Sequence, residues 1–304
     1  MRNTRWLALG ASLLVLLSAC TTGGGSKPTI RVGSDGFYEA RLMAEIYAQA
    51  LEAKGYTVDR TAIGIGGRPV SAPALESGQF DLKPEYIGSG LGYYDNTKIS
   101  NDPAAEAAAL QTILSGTGGG ITVLDYSPAS DYNAFVVRPE TAQQYSLVTM
   151  SDLGKVAGQL KIGVATECPT NPVCGPALKS AYGIDVANAT LLAACDTPMV
   201  QALAGRTIDV GELCSTQPDI AVNGWIVLQD DKGTQPAENI APLVRNDLLS
   251  KLGGDADAFK KILNDVSAAL DTATLLDLGR QVSVDNKDIA VVAKAWLQSK
   301  GFVQ

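Results

Sequence analysis

The sequence predicts an α/β fold of two similarly built lobes, and three observations carry that expectation. The first is an internal echo. Pro73-Ala-Leu-Glu-Ser-Gly-Gln-Phe-Asp81-Leu-Lys-Pro-Glu-Tyr86 returns downstream, weakened, as Gln201-Ala-Leu-Ala-Gly-Arg-Thr-Ile-Asp209-Val-Gly-Glu-Leu-Cys214-Ser-Thr216. Each copy reads as a short helical Ala-Leu run, a glycine able to end it in the left-handed region, and an apolar-Asp-apolar strand. The second observation is a β-α-β-α-β alternation that runs once through the first third of the chain and restarts near Ser151. The third is a pair of polar segments, 127–132 and 230–238, where the chain passes from one run to the other and comes back. Ligands in such folds sit beyond the strand ends where the echoes stop, and there the copies differ, Tyr86 against Cys214.

The elements follow in order. Arg2 and Arg5 precede an apolar run over 6–17 that ends Leu17-Ser-Ala-Cys20. That is shorter than the about 20 apolar residues of a membrane-spanning helix and reads as an export signal over 1–19. Residues 20–28, with three consecutive glycines, read as a flexible tether. A strand over 29–33 leads through a turn to a helix over 37–54, whose apolar face is Leu42, Ile46 and Leu51 and whose stop is Gly55. A second strand spans 56–65. Gly64-Ile-Gly-Gly-Arg68 follows, but Pro69 stands where a dinucleotide loop needs its helix, which argues against a nucleotide site. After the first echo, 88–100 reads as a polar loop carrying Tyr93 and Tyr94, and Asp102-Pro103 opens a helix reaching Leu114. The glycines of 116–120 lack the Gly-Lys-Ser/Thr of a phosphate loop and read as a turn before a strand over 121–124.

The first crossover then feeds a strand over 133–137. The second run has a strand over 161–165, a loop holding Cys168 and Cys174, and a helix over 176–182 closed by Gly183. It continues with a strand over 190–194, a helix over 198–204, the second echo and a strand over 225–228. Phe259, Ile262, Val266 and Leu270 mark one amphipathic C-terminal face and Ile289, Val292 and Trp296 another, both expected to pack on a sheet. One lobe is therefore expected over 29–132 plus 236–304, and the other over 133–235 between the crossovers, an arrangement that permits hinge closure.

Composition narrows the function. The 304 residues are 46% hydrophobic and 18% charged, ordinary for a globular protein with a sizeable core. A net charge of −8, more negative still once Arg2 and Arg5 are lost with the signal, disfavours nucleic acid as a partner. Histidine is absent, which removes the Ser-His-Asp and Cys-His arrangements and every His-containing metal site. Asp, Glu, Lys and Tyr stand in no spacing that marks a catalytic site, and neither a cofactor nor a metal is expected.

Four stretches carry a resemblance: Glu45-Ile-Tyr-Ala-Gln-Ala-Leu-Glu-Ala-Lys-Gly-Tyr56, residues 73–86, residues 209–216, and Leu228-Gln-Asp-Asp-Lys-Gly233. On these, in order and at suitable spacing over residues 30–304, the chain resembles the substrate-binding lipoproteins of osmoprotectant (glycine betaine/carnitine/choline) ABC importers, the quaternary-amine branch. The resemblance implies a periplasmic-binding-protein-like fold of type II, the Venus-flytrap kind, that traps a small ligand between its lobes and delivers it to a membrane permease. It also implies a monomer outside the cytoplasm. Leu-Ser-Ala-Cys20 resembles a lipobox, which implies cleavage before Cys20 and a lipid anchor on its sulfur.

In the family a box of tyrosines holds the trimethylammonium group, and basic and polar groups hold a carboxylate. Tyr86 matches one box tyrosine. Cys214 stands where another ring belongs, followed by Ser215 and Thr216, and Asn133 stands at a third box position with Tyr132 beside it. In Gly33-Ser-Asp35-Gly-Phe37 an acid replaces a lysine, and Asn171 takes the place of an arginine. Phe37, Tyr38, Tyr93 and Tyr94 are further ring candidates, and Asp35 is a candidate partner for a cation or a helix cap. Loss of rings together with positive charge favours a cation without a carboxylate, or a neutral hydroxylated or aromatic molecule, over betaine. Four cysteines beyond Cys20 in an exported chain imply disulfides, with three possible pairings. Cys168 and Cys174 resemble a paired loop seen in part of the family, which leaves Cys195 with Cys214.

Overall fold

A computed structural model describes residues 27–304. The expected export signal, Cys20 and all but the last two residues of the tether lie outside the described residues. Among the described residues, ten strands form two five-stranded mixed sheets. The first sheet holds β1 (Ile30–Asp35), β2 (Val58–Gly66), β3 (Leu82–Tyr86) and β4 (Ile121–Val123), in the order β2-β1-β3, then a late strand, then β4. The second holds β5 (Asn133–Val137), β6 (Ile162–Ala165), β7 (Thr190–Leu192), β8 (Val210–Cys214) and β9 (Ile226–Val227), in the order β7-β6-β8-β5-β9. The late strand of the first sheet is β10 (Ile240–Arg245). Each sheet thus has three parallel strands and then an antiparallel fourth. That fourth strand runs Ile240↔Tyr86 to Val244↔Leu82 in one sheet and Asn133↔Cys214 to Val137↔Val210 in the other.

The echo has a structural cause. In both copies the Asp sits just before the strand, not in its middle, because its carboxylate is spent on the neighbouring strand. Asp81 accepts from the Arg31 N–H at 3.1 Å and pairs with the Arg31 guanidinium at 2.6 Å, and Asp209 accepts from the Lys161 N–H at 3.0 Å. A buried arginine at the far end of each antiparallel strand closes the same corner. Arg245 donates to the Leu75 carbonyl at 2.9 Å and Arg138 to the Leu203 carbonyl at 2.8 Å, which satisfies the last carbonyls of each echo helix. The left-handed turn, however, is shared only in part: Gly78 takes φ 77°, whereas in the second copy Arg206 takes φ 62° and Gly205 does not.

The expected loop over 88–100 is corrected, since Ile87–Asp95 is a helix. Its glycines suggested a loop but are there for close approach. A Cβ at Gly88 would lie 2.4 Å from the Pro236 side chain, and one at Gly90 would lie 2.9 Å from that of Glu85. The C-terminal helices bury Phe259, Leu263, Val266, Val292 and Trp296 together with Leu42, Ile46 and Leu51 of the helix Tyr38–Glu52. They pack mainly on that helix, and the helix Ala256–Ala268 also meets β10 of the sheet directly, as its apolar face predicts. The two connecting segments bond to each other: the Asp131 N–H donates to the Glu238 carbonyl at 3.0 Å, and Ser130 and Asn239 form an antiparallel bridge. No helix among the described residues is long and apolar enough to cross a membrane.

Candidate ligand site between the sheets

The C-terminal ends of the parallel strands of both sheets face one cavity of about 510 Å³. The first sheet contributes Asp35 and Phe37 after β1, Gly66 to Pro69 after β2, and Tyr86 at the end of β3, with Ser89 and Tyr93 from the helix beyond. The second contributes Asn133 at the start of β5 and Ala165 to Glu167 with Thr170 to Pro172 after β6. Ala193 to Asp196 follow β7, and Glu212 and Cys214 lie on β8. Asp131 and Glu238 come from the connecting segments.

Of the residues expected from sequence, Asp35, Phe37, Tyr86, Asn133, Asn171 and Cys214 meet in this wall, and Tyr93 joins them. Tyr38, Tyr94, Tyr132, Ser215 and Thr216 stand outside it. The physical reason is local. Ser215 and Thr216 turn away from the cavity to hold a buried acid pair, Thr216 Oγ1 donating to Glu39 at 2.7 Å while its N–H donates to Asp131 at 2.9 Å. Ser215 Oγ also donates to Asp131, at 3.0 Å. Tyr132 exchanges backbone contacts with Ser215 and leaves its side chain at the surface. The Tyr38 hydroxyl reaches toward Gly279 of a C-terminal helix, and the Tyr94 hydroxyl donates to Glu76 at 2.6 Å.

The Tyr86 ring is buried, its hydroxyl donates to Glu39 at 2.7 Å, and it lies 5.6 Å from the Phe37 ring at a 38° tilt. Phe37 and Tyr86 are thus a locked aromatic pair on the first wall. Asp35 does not cap the following helix, whose N-cap is Phe37. It accepts from Ser71 Oγ and stands 3.1 Å from the ammonium of Lys83, a side chain with no exposed surface. Lys83 also pairs with Glu85 at 2.7 Å, and Arg68 pairs with Glu85 at 2.9 Å. Burial alone would push Glu85 up, but Arg68 and Lys83 hold it down at about 2.

The two basic positions lost from the family pattern are partly offset: Arg68 lines the cavity, and both it and the buried Lys83 pair with Glu85. The wall as a whole remains acidic, with Asp35, Asp131, Glu167, Asp196, Glu212 and Glu238 against Arg68 alone. Burial pushes Glu238 up to about 8, against hydrogen bonds from Ser89 and the charge of Arg68, and pushes Glu212 up to about 7. Arg68, Glu212 and Glu238 were not singled out from sequence. The available signals were a charge inside an otherwise apolar strand, Gly211-Glu212-Leu213, and an arginine closing a glycine-rich turn.

Both disulfides form, Cys168–Cys174 and Cys195–Cys214. The second requires the loop after β7 to reach the last residue of β8 across β6, which lies between those strands. Cys168, Cys174 and Glu212 have ligand atoms within 4.8 Å of one another, but sulfurs joined to each other offer no thiolate to a metal. The unfolded, non-reduced chain is expected to show no free thiol among these four cysteines when titrated with a thiol reagent. Two or more reactive thiols would contradict the pairing.

A family model described as the substrate binding domain of ABC-type glycine betaine transport systems, OpuAC, matches residues 28–299. The chain belongs to the OpuAC family. It is 30% identical over 311 residues to the glycine betaine-binding protein YehZ of Escherichia coli (strain K12), a match covering 98% of this chain and 99% of that relative. The structure of apo YehZ from Escherichia coli superposes with a TM-score of 0.63 at 26% identity, covering 90% of this chain and 99% of the other. A crystal structure described as a glycine betaine/carnitine/choline ABC transporter gives a TM-score of 0.69 at 22% identity over 90% and 99% of the two chains, and shows the shared two-lobed fold. As a member of the OpuAC family this protein is the solute-binding part of an ABC importer, a transport component. The family binds its small ligand outside the cytoplasm and hands it to a permease.

Proposed function

We propose that this OpuAC-family protein captures a small quaternary-amine cation in the cavity between its sheets, for uptake through an ABC permease. The observation that carries the reading is the Phe37–Tyr86 pair opposite an acid-rich wall. A trimethylammonium group has no N–H to donate, so it is held by the negative faces of rings and by nearby carboxylates, each ring contributing about 0.5–2 kcal/mol when desolvated. Two locked rings on one wall supply the first, and six acidic side chains around the space, the buried ones ionising as the cation enters, supply the second. Among the described residues the second wall contributes no ring, and Cys214 spends its side chain on Cys195. A ligand carboxylate would meet Arg68 already paired with Glu85 and acids on every other side. Choline therefore fits better than glycine betaine.

The chain-level reading goes with it. Residues 29–132 plus 236–304 form one lobe and 133–235 the other, and closure about the paired connecting segments traps the ligand. Tyr86, Asp35, Phe37, Asn133 and Asn171 are ligand contacts, while Tyr132, Ser215 and Thr216 serve the hinge. After removal of residues 1–19 the monomer is held to the membrane by lipid on Cys20, with 20–28 as the leash.

Titration calorimetry with choline, glycine betaine, carnitine and a panel of neutral phenolics tests the ligand class. Heat with choline exceeding that with betaine is the expected result, and silence toward every quaternary amine sinks the reading. Tyr86→Ala is expected to weaken the bound cation by about tenfold or more. Undiminished affinity in that variant removes the ring from the site.

A further inference from the structure

Glu212 is a buried acid in the middle of β8, opposite Phe135 in the register, and its carboxyl lines the cavity. Its two oxygens are treated differently. Oε2 accepts a hydrogen bond from the Ala165 N–H at 2.7 Å. The contact of Oε1 is with Cys174 Sγ, at 3.5 Å. That sulfur is bonded to Cys168 and has no proton to give, so the contact satisfies nothing. Among the described residues, one oxygen of an acid that is only 2% exposed is therefore left without a donor at the edge of an open space. Buried acceptors without partners are rare because desolvation is not repaid, and such a group in a cavity wall is the natural mate of a ligand's donor. The positive groups near the cavity do not supply the partner, since Arg68 and Lys83 are both engaged with Glu85 on the first sheet.

We propose that Glu212 is the polar anchor of the second wall: its Oε1 accepts a hydrogen bond from an O–H or N–H of the ligand, so that the site selects quaternary amines bearing such a donor over those ending in an alkyl group or a carboxylate. This rests on the quaternary-amine reading above and adds a selecting group to it. Phe37 and Tyr86 hold the methylated end, which they cannot tell apart among trimethylammonium compounds. Glu212 reads the other end. An alkyl group there leaves Oε1 unsatisfied, and against the ionised acid a ligand carboxylate brings two acceptors together with no proton between them.

The decisive pair of probes is choline and n-propyltrimethylammonium, which replaces the hydroxyl with a methyl group at nearly constant size. Calorimetry is run at pH 8, above the value of about 7 to which burial raises this acid, so that the carboxylate form prevails. The native chain is expected to prefer choline by about tenfold or more. In Glu212→Leu the preference falls to within about twofold, and in Glu212→Gln it falls as well, because the single amide oxygen is claimed by the Ala165 N–H and the amide N–H faces the ligand instead. Equal affinity for the two cations in the native chain overturns the assignment and leaves the quaternary-amine reading standing. A choline preference that survives in Glu212→Leu does the same. Equal loss of both cations in that variant would make Glu212 a counter-ion, again overturning the hydrogen-bond role. Binding of neither cation by the native chain overturns the quaternary-amine reading and takes this assignment with it. Because the native chain alone supplies the ratio, a leucine variant that fails to fold does not rescue the idea.

Discussion

Lys83→Met is expected to cost the protein about 3–5 kcal/mol of stability, because it leaves a buried pair of acids short of a cation. The Lys83 side chain has no exposed surface, and its ammonium stands 3.1 Å from Asp35 and 2.7 Å from Glu85. Methionine matches the stem of lysine well enough to keep the packing of the sheet, so the loss isolates the charge. After the substitution Glu85 keeps Arg68, but Asp35 keeps only the hydroxyl of Ser71. An uncompensated carboxylate under a sheet either takes up a proton or draws water in, and both cost stability. Urea unfolding at neutral pH gives the number. The double variant Lys83→Met/Asp35→Asn should recover part of the loss, since the asparagine carries no charge to strand. A single variant within about 1 kcal/mol of the native chain would show that solvent or a rearranged Arg68 replaces the ammonium, and Lys83 would not be what holds Asp35 and Glu85 ionised. The same variant should also weaken ligand capture, because Asp35 forms part of the wall.

That group of buried charges marks where the sequence stopped being readable. The fold was legible because it is written in local patterns: the echo around Asp81 and Asp209 returns as two sheets of matching strand order. The helix ended by Gly183 was legible for the same reason, since that glycine takes φ 72° at the C-cap. Tyr86 and Cys214 were placed at equivalent strand ends by counting from the Asp, and the register puts them there, opposite Ile240 and Asn133. The site chemistry is non-local. Nothing in Lys83-Pro-Glu85 says that its lysine meets Asp35, or that Arg68 arrives from the other side to share Glu85. Ser215 and Thr216 followed a ligand-contact position in the chain and were expected to share its role. A strand that ends at the cavity turns its next residues toward the hinge, and there Glu39 and Asp131 claim them. The helix Ile87–Asp95 was missed because a glycine needed for contact with Pro236 cannot be told, in sequence alone, from one that frees a loop.

Stability of the ligand-free protein is expected to fall as pH rises from about 5 to 8, by roughly 3 kcal/mol or more, since each retained proton is worth about 1.4 kcal/mol per pH unit. The cause is a set of buried carboxyls whose proton affinity the fold raises. Burial pushes Glu238 up to about 8 and Glu212 up to about 7. It pushes Asp131 up to about 6 despite the hydrogen bonds from Thr216 and Ser215, and raises Glu39 well above its ordinary value with Asp131 adding to the effect. All four hold protons that the unfolded chain has already released in this range. Their contribution is therefore fully present below the unfolded values and disappears as pH passes through the folded ones. Glu85 runs the other way, its folded value lying below the unfolded one, and it withdraws stability only under strongly acid conditions. Urea unfolding across that pH span at fixed ionic strength measures the slope, and a flat or rising curve would mean that these acids are solvated in the folded state. Ligand binding should carry the opposite sign. A permanent cation entering among Asp131, Glu212 and Glu238 favours their ionised forms, so affinity rises over the same span and protons leave on binding. Calorimetric enthalpies in buffers of different ionisation heat count those protons. Release on binding a cation, together with falling stability of the empty form, would trace both effects to the same buried acids.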